Sequence, residues 1–103
     1  MKNRIRPLSM LIVDDSTVIR NRIARLVSNP QLPPIQISGL AADGEAAVQL
    51  AREARPDLIT MDLTMPNMDG PTMLQKMRES GNKTPVIMLT SESKRTIVAG
   101  AMK

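Results

Sequence analysis

The chain contains no Cys, no His and no Phe, Trp or Tyr. Without Cys there are no disulfides, thiolate metal sites or thiol nucleophiles, and nothing demands an oxidising compartment. Without His the commonest general base and metal ligand is gone, so any chemistry rests on carboxylates, hydroxyls, Lys, Arg, backbone groups or a bound cation. Without aromatic rings, stacking on bases or sugars is excluded. Long apolar runs are missing too. Met10 to Val13 is cut short by Asp14, too early for a signal sequence or a membrane span, so the chain is read as cytoplasmic with no membrane insertion.

What is there suits one small domain. A length of 103 residues with 42% hydrophobic and 23% charged positions allows a single core, and residues 1–103 are read as one domain. Aliphatic side chains and nine Met must fill that core. The net charge of +4 raises the question of a polyanion. Only Arg20, Arg22 and Arg25 share a helical segment, however, and the other cations are scattered, which predicts a solvated basic surface and no specific nucleic-acid site.

Ser9 to Val13 is a short continuous apolar run, the form of a strand buried on both faces of a parallel sheet. Ser16 can cap a helix whose apolar positions are Val18, Ile19, Ile23, Leu26 and Val27, with Arg20, Arg22 and Arg25 facing water. Asn29, Pro30, Pro33 and Pro34 end it. Ile35 to Leu40 reads as strand two. Glu45 to Arg55 reads as a helix on Ala47, Val48, Leu50, Ala51 and Ala54, stopped by Pro56. Asp57 to Leu63 reads as strand three. Pro71 suits the first turn of a third helix carrying Met73, Leu74 and Met77 and ending at Gly81. Pro85 to Leu89 reads as strand four, and a fourth helix begins near Ser93. Strict alternation of strand and helix implies an α/β fold: an open parallel sheet with right-handed crossovers and helices on both faces.

Sites in such sheets form at the carboxyl ends of the strands. That rule selects Asp14 and Asp15 after strand one, Asp62 near the end of strand three, and Thr90 with Ser91 after strand four. Three carboxylates about 5 Å apart repel by roughly 3 kcal/mol per pair at an effective dielectric near 20, and a hard divalent cation such as Mg²⁺ relieves this. Helix capping alone would account for one of Asp14 and Asp15, not both. Asp62 follows an apolar strand, so its carboxylate needs a partner or a task, and attack on phosphorus is a task that suits it. An Asp opening a turn is the plainer alternative.

The segments Leu11-Ile-Val-Asp-Asp-Ser16, Asp57-Leu-Ile-Thr-Met-Asp-Leu-Thr-Met-Pro-Asn-Met-Asp-Gly70 and Pro85-Val-Ile-Met-Leu-Thr-Ser91 resemble the receiver domain of bacterial response regulators, close to the CheY-like chemotaxis group. The resemblance implies a flavodoxin-like fold truncated to about four strand-helix units, with strand order 2-1-3-4 and the fifth strand missing. It implies Asp62 as phosphoacceptor, Asp14, Asp15, Asp62 and the Thr64 backbone carbonyl as Mg²⁺ ligands, and Thr90 as a switch hydroxyl. Thr64 and Glu92 fall at positions that tune the lifetime of the phosphoryl group. Met65, Pro66, Asp69 and Gly70 match the loop that leads into the next helix.

Receivers also carry a Lys on a fifth strand, near a switch aromatic. No residue of this chain takes either position, since Lys103 belongs to the fourth helical pattern. The chain is therefore read as a C-terminally incomplete receiver rather than an enzyme, with strand four as a hydrophobic edge open to a dimer partner or an exchanged segment. The implied partners are a phosphodonor histidine kinase and a downstream target. Two other readings are a phosphorylation-independent interaction module, and an Asp-nucleophile phosphatase, which Thr64 in place of an acid at the Asp62-Leu63-Thr64 motif disfavours.

Overall fold

A computed structural model describes residues 7–63, 65 and 68–90. The expected fourth helix, Ser91, Glu92, Lys103, Thr64, Pro66 and Asn67 lie outside the described residues. The elements run β1 (Leu8–Val13), α1 (Thr17–Val27), β2 (Ile35–Ala41), α2 (Gly44–Ala54), β3 (Leu58–Asp62), α3 (Gly70–Glu79) and β4 (Val86–Leu89). All pairings are parallel and the strand order is β2-β1-β3-β4, as expected.

Each helix among the described residues opens on a side-chain cap at the same edge of the sheet. Ser16 Oγ accepts from the Ile19 amide at 3.3 Å, Asp43 Oδ1 from Ala46 at 2.9 Å and Asp69 Oδ1 from Thr72 at 2.8 Å. Hydrogen bonds from Thr72 hold the Asp69 carboxyl below its usual 3.8, so the charged form belongs to the folded state. The cap is therefore at full strength above pH 3.8 and is lost as the pH falls through the lower folded value. At its far end α2 closes on Arg55, whose φ of 46° and ψ of 60° are left-handed, with its amide donating to the Ala51 carbonyl at 3.2 Å. A side chain in that region costs about 1–2 kcal/mol, which a Gly would avoid.

The sheet separates two cores. On one face Leu11, Val13, Ile59 and Met61 pack under Ala47 and Ala51 of α2 and Met73 and Met77 of α3. On the other, Met10 and Ile12 lie under Ile19 and Ile23 of α1. Met10 to Val13 are all at most 2% exposed, so β1 is central and buried on both sides, as its unbroken apolar run requires. Each fully buried side chain of this size contributes about 1.5–3 kcal/mol.

Two expectations need correction. Val18 is 62% and Leu26 43% exposed, because α1 seats Ile19, Ile23, Ala24 and Val27 on the sheet and these two fall to the side of that stripe. Ala54 shares a face with the buried Ala47 and Ala51 but is exposed as the last residue of α2. Arg20 does not simply face water. Its guanidinium donates to the Asp14 carbonyl at 2.6 Å.

Strand β2 also hides an irregularity. Met10 pairs with Ile37 but Leu11 with Gly39, so Ser38 is an extra residue, a bulge. Ile35 and Ile37 consequently serve the α1 face, whereas Ala41, of the same parity, serves the α2 face. Leu40 is left 47% exposed. Among the described residues no helix is long and apolar enough to cross a membrane.

Candidate functional site

Val13 and Met61 are paired neighbours on β1 and β3, so Asp14 and Asp62, the next residue on each strand, stand side by side at the sheet's carboxyl edge. Asp14 is fully buried, Asp62 is 4% exposed and Asp15 is exposed. One carboxylate oxygen from each of the three lies within 4.8 Å of the others. The sequence expectation of a convergent acidic trio is met.

Backbone and side chain both hold Asp14 in place. Its amide donates to the Ala41 carbonyl at 2.9 Å, its carbonyl accepts from Arg20, and its Oδ1 accepts from the Ser16 amide at 2.8 Å. Ser16 performs the capping of α1, so Asp15 is not needed for it. At about 4.8 Å the charges repel by about 3 kcal/mol per pair with an effective dielectric near 20, an upper figure where Asp15 meets water. Oxygens that lie within 4.8 Å of one another can share one small hard cation after modest side-chain adjustment, with water completing its shell. The donors are hard, and the group fits the ion.

Helix α3 begins in direct contact with this site. The Gly70 amide donates to the Leu63 carbonyl at 3.1 Å, and a Cβ at Gly70 would lie 2.7 Å from the Asp62 carbonyl oxygen and 3.2 Å from the Leu63 Cα. Met88 Sδ, at 3.2 Å, can yield, but the two backbone atoms cannot. Gly70→Ala is expected to destabilise the fold by about 1–3 kcal/mol through forced backbone movement, read as a lower urea midpoint with unchanged slope. A Cβ on Gly44 would similarly lie 2.6 Å from that of Met68, so the start of α2 is pressed on the loop between β3 and α3.

Thr90 follows the last residue of β4, Leu89, which pairs with Asp62 and accepts from the Leu63 amide at 3.1 Å. This places Thr90 one residue beyond the level of Asp62, on the exposed rim. Met65 is 7% exposed in the α2 and α3 core. Sequence reasoning missed Gly44 and Arg20. An Asp43-Gly44 pair looks like any turn, and an Arg on a helix face carries no mark of the carbonyl it reaches.

An open parallel α/β sheet of order β2-β1-β3-β4 that gathers Asp14, Asp15 and the buried Asp62 at its carboxyl edge is the arrangement of a receiver-type domain. The chain belongs to the response regulator receiver domain family, whose model matches residues 10–103. Its similar proteins include a protein-glutamate methylesterase/protein-glutamine glutaminase of Nocardioides sp., 44% identical over 92 residues, covering 89% of this chain and 25% of that protein. Another of the same description, from Methanospirillum hungatei, is 43% identical over 101 residues, covering 91% of this chain and 29% of that protein. This chain thus spans about a quarter of the length of such relatives. Among solved structures, the response regulator domain of Thermotoga maritima CheB superposes with a TM-score of 0.76 at 37% identity, over 84% of this chain and 62% of that one. The receiver domain of NarL from Mycobacterium tuberculosis gives 0.79 at 26% identity, over 95% and 77%. The chemotaxis grouping and the two-component signalling class stand.

Proposed function

We propose that this domain accepts a phosphoryl group on Asp62 from a histidine kinase, with Mg²⁺ held by Asp14, Asp15, Asp62 and the Thr64 carbonyl. The observation that carries this reading is the trio of carboxylates within 4.8 Å, with the Asp62 side chain buried at the end of β3. A bound Mg²⁺ would supply positive charge for the transferring oxygens. A carboxylate oxygen of Asp62 attacks phosphorus, the new O–P bond forms as the donor's N–P bond breaks, and the electron pair returns to the donor's imidazole, which takes up a proton. Because these 103 residues contain no His, the donor lies outside them, in a histidine kinase or a small phosphoamidate or acyl phosphate.

Thr90 would donate its hydroxyl to the phosphoryl product, and Thr64 and Glu92 would govern access of water to it. Thr90→Ala is expected to keep the acceptor reaction and to lose the phosphorylation-dependent change in amide NMR shifts along β4. The downstream target proposed is a methylesterase-type effector, by similarity to the relatives. β4 pairs only with β3 among the described residues and carries Ile87 at 48% exposure, so its open edge would be covered by a further strand, from this chain, a second copy or a partner. The reading is tested by incubating the protein with acetyl phosphate and Mg²⁺. One hydroxylamine-labile phosphoryl group per chain, mapped to the peptide holding Asp62, supports it. Steady turnover of phosphomonoesters would instead favour the phosphatase reading.

A further inference from the structure

At the edge of the sheet opposite the carboxylates, between the ends of α2 and α3, lies a cavity of about 550 Å³, within the usual size of small-molecule sites. Its floor is apolar, made by Val48, Ala51, Pro56 and Met77, and its wall carries Arg52 and Arg55. No acidic residue is among its described lining residues. The acids closest in sequence are engaged elsewhere: Glu53 accepts from Gln49 at 3.0 Å, Glu79 from Gln75 at 3.2 Å, and Asp57 from the Ser9 amide at 2.8 Å.

On the opposite rim, Asn82 Oδ1 accepts from both the amide and the hydroxyl of Thr84, at 2.9 and 2.6 Å, so these groups satisfy one another. The two guanidinium groups have no hydrogen-bond or ion-pair partner among the described residues, and they are the cavity's charged donors, beside the neutral Asn82 side-chain amide. The carbonyl ends of α2 and α3 disfavour an anion by a fraction of a charge each, which two full positive charges outweigh. The left-handed backbone of Arg55 is a second, separate observation. A residue held in a costly conformation at a cavity wall, where Gly would sit without strain, points to a use for its side chain.

We propose that this cavity binds an amphipathic organic anion, its carboxylate or phosphate head paired with Arg52 and Arg55 and its aliphatic body on the Val48, Ala51, Pro56 and Met77 floor. Arginine suits both heads through paired N–H donors, and the absence of aromatic residues favours an aliphatic body.

The test uses protein labelled with ¹³C at its Met methyl groups, titrated to about 10 mM with octanoate, octyl phosphate, octanol or inorganic phosphate. The Met77 methyl is expected to shift and saturate with octanoate, octyl phosphate or both, and the tighter of the two identifies the head. Met10, in the other core, stays unmoved. Octanol and inorganic phosphate are expected to bind at least about tenfold more weakly, and Arg52→Gln with Arg55→Gln to weaken the anions by at least about tenfold. Both arginines are exposed, so this variant keeps the fold, which an unchanged melting temperature verifies. Equal binding of octanol or of inorganic phosphate, unchanged binding in the double variant, or no Met77 shift with either anion would overturn the proposal.

Discussion

Asp62→Asn is expected to lower phosphoryl acceptance by at least about 10³-fold while leaving the domain folded and no less stable. The side chain sits 4% exposed at the last position of β3, and Asn matches its size, so no cavity opens and no strand is displaced. What changes is charge. An amide oxygen is a poor nucleophile towards phosphorus, and the neutral side chain withdraws one of three anions from a group whose oxygens lie within 4.8 Å. The same substitution that stops the chemistry therefore relieves repulsion. Lost acceptance at equal or higher melting temperature would be chemical and not structural in origin. The measurement is intact mass after exposure to acetyl phosphate, beside a melting curve. Acceptance that persists in Asp62→Asn would place the nucleophile elsewhere.

The second large effect concerns the ion. Mg²⁺ at tenfold excess over its dissociation constant is expected to stabilise the fold by about 1.4 kcal/mol, or about 5–10 °C in melting temperature for a domain of this size. Asp15→Asn should abolish that response and also raise the metal-free melting temperature. The gain is set at about 1 kcal/mol, because Asp15 is exposed and water screens it. The two halves have opposite signs, which separates a metal ligand from an ordinary surface Asp: a surface residue would change neither. Chelation should halt phosphoryl acceptance in the unaltered chain. A melting temperature indifferent to Mg²⁺ would favour a phosphorylation-independent interaction module.

Much of this was legible in the residues because each rests on a local rule. The run from Met10 to Val13 is uninterrupted because β1 is central, and Pro30, Pro34 and Pro56 mark where helices cannot continue. The carboxylates were found because strand ends gather at one edge. The parts not legible depend on distances across the chain. The bulge at Ser38 leaves the alternation of Ile35, Ile37 and Gly39 unbroken in writing, yet the strand changes face there. Val18 and Leu26 belong to the apolar set of the helix as written, and only the way α1 seats on the sheet through Ile19, Ile23 and Val27 leaves them in water. Gly44 and Gly70 look alike as turn residues, and their need for a bare Cα comes from Met68 and Asp62, which the fold alone brings near.

The methionines of the α2 and α3 core make the folded state its own protection. Met61, Met65 and Met73 are at most 7% exposed, so a peroxide reaches their sulfurs only when the helices lift from the sheet. A sulfoxide formed during such an opening is polar and cannot return to the same packing. In a chain without Trp or Tyr to report by fluorescence, the rate of methionine oxidation becomes a chemical clock for opening of the core beside the acidic site.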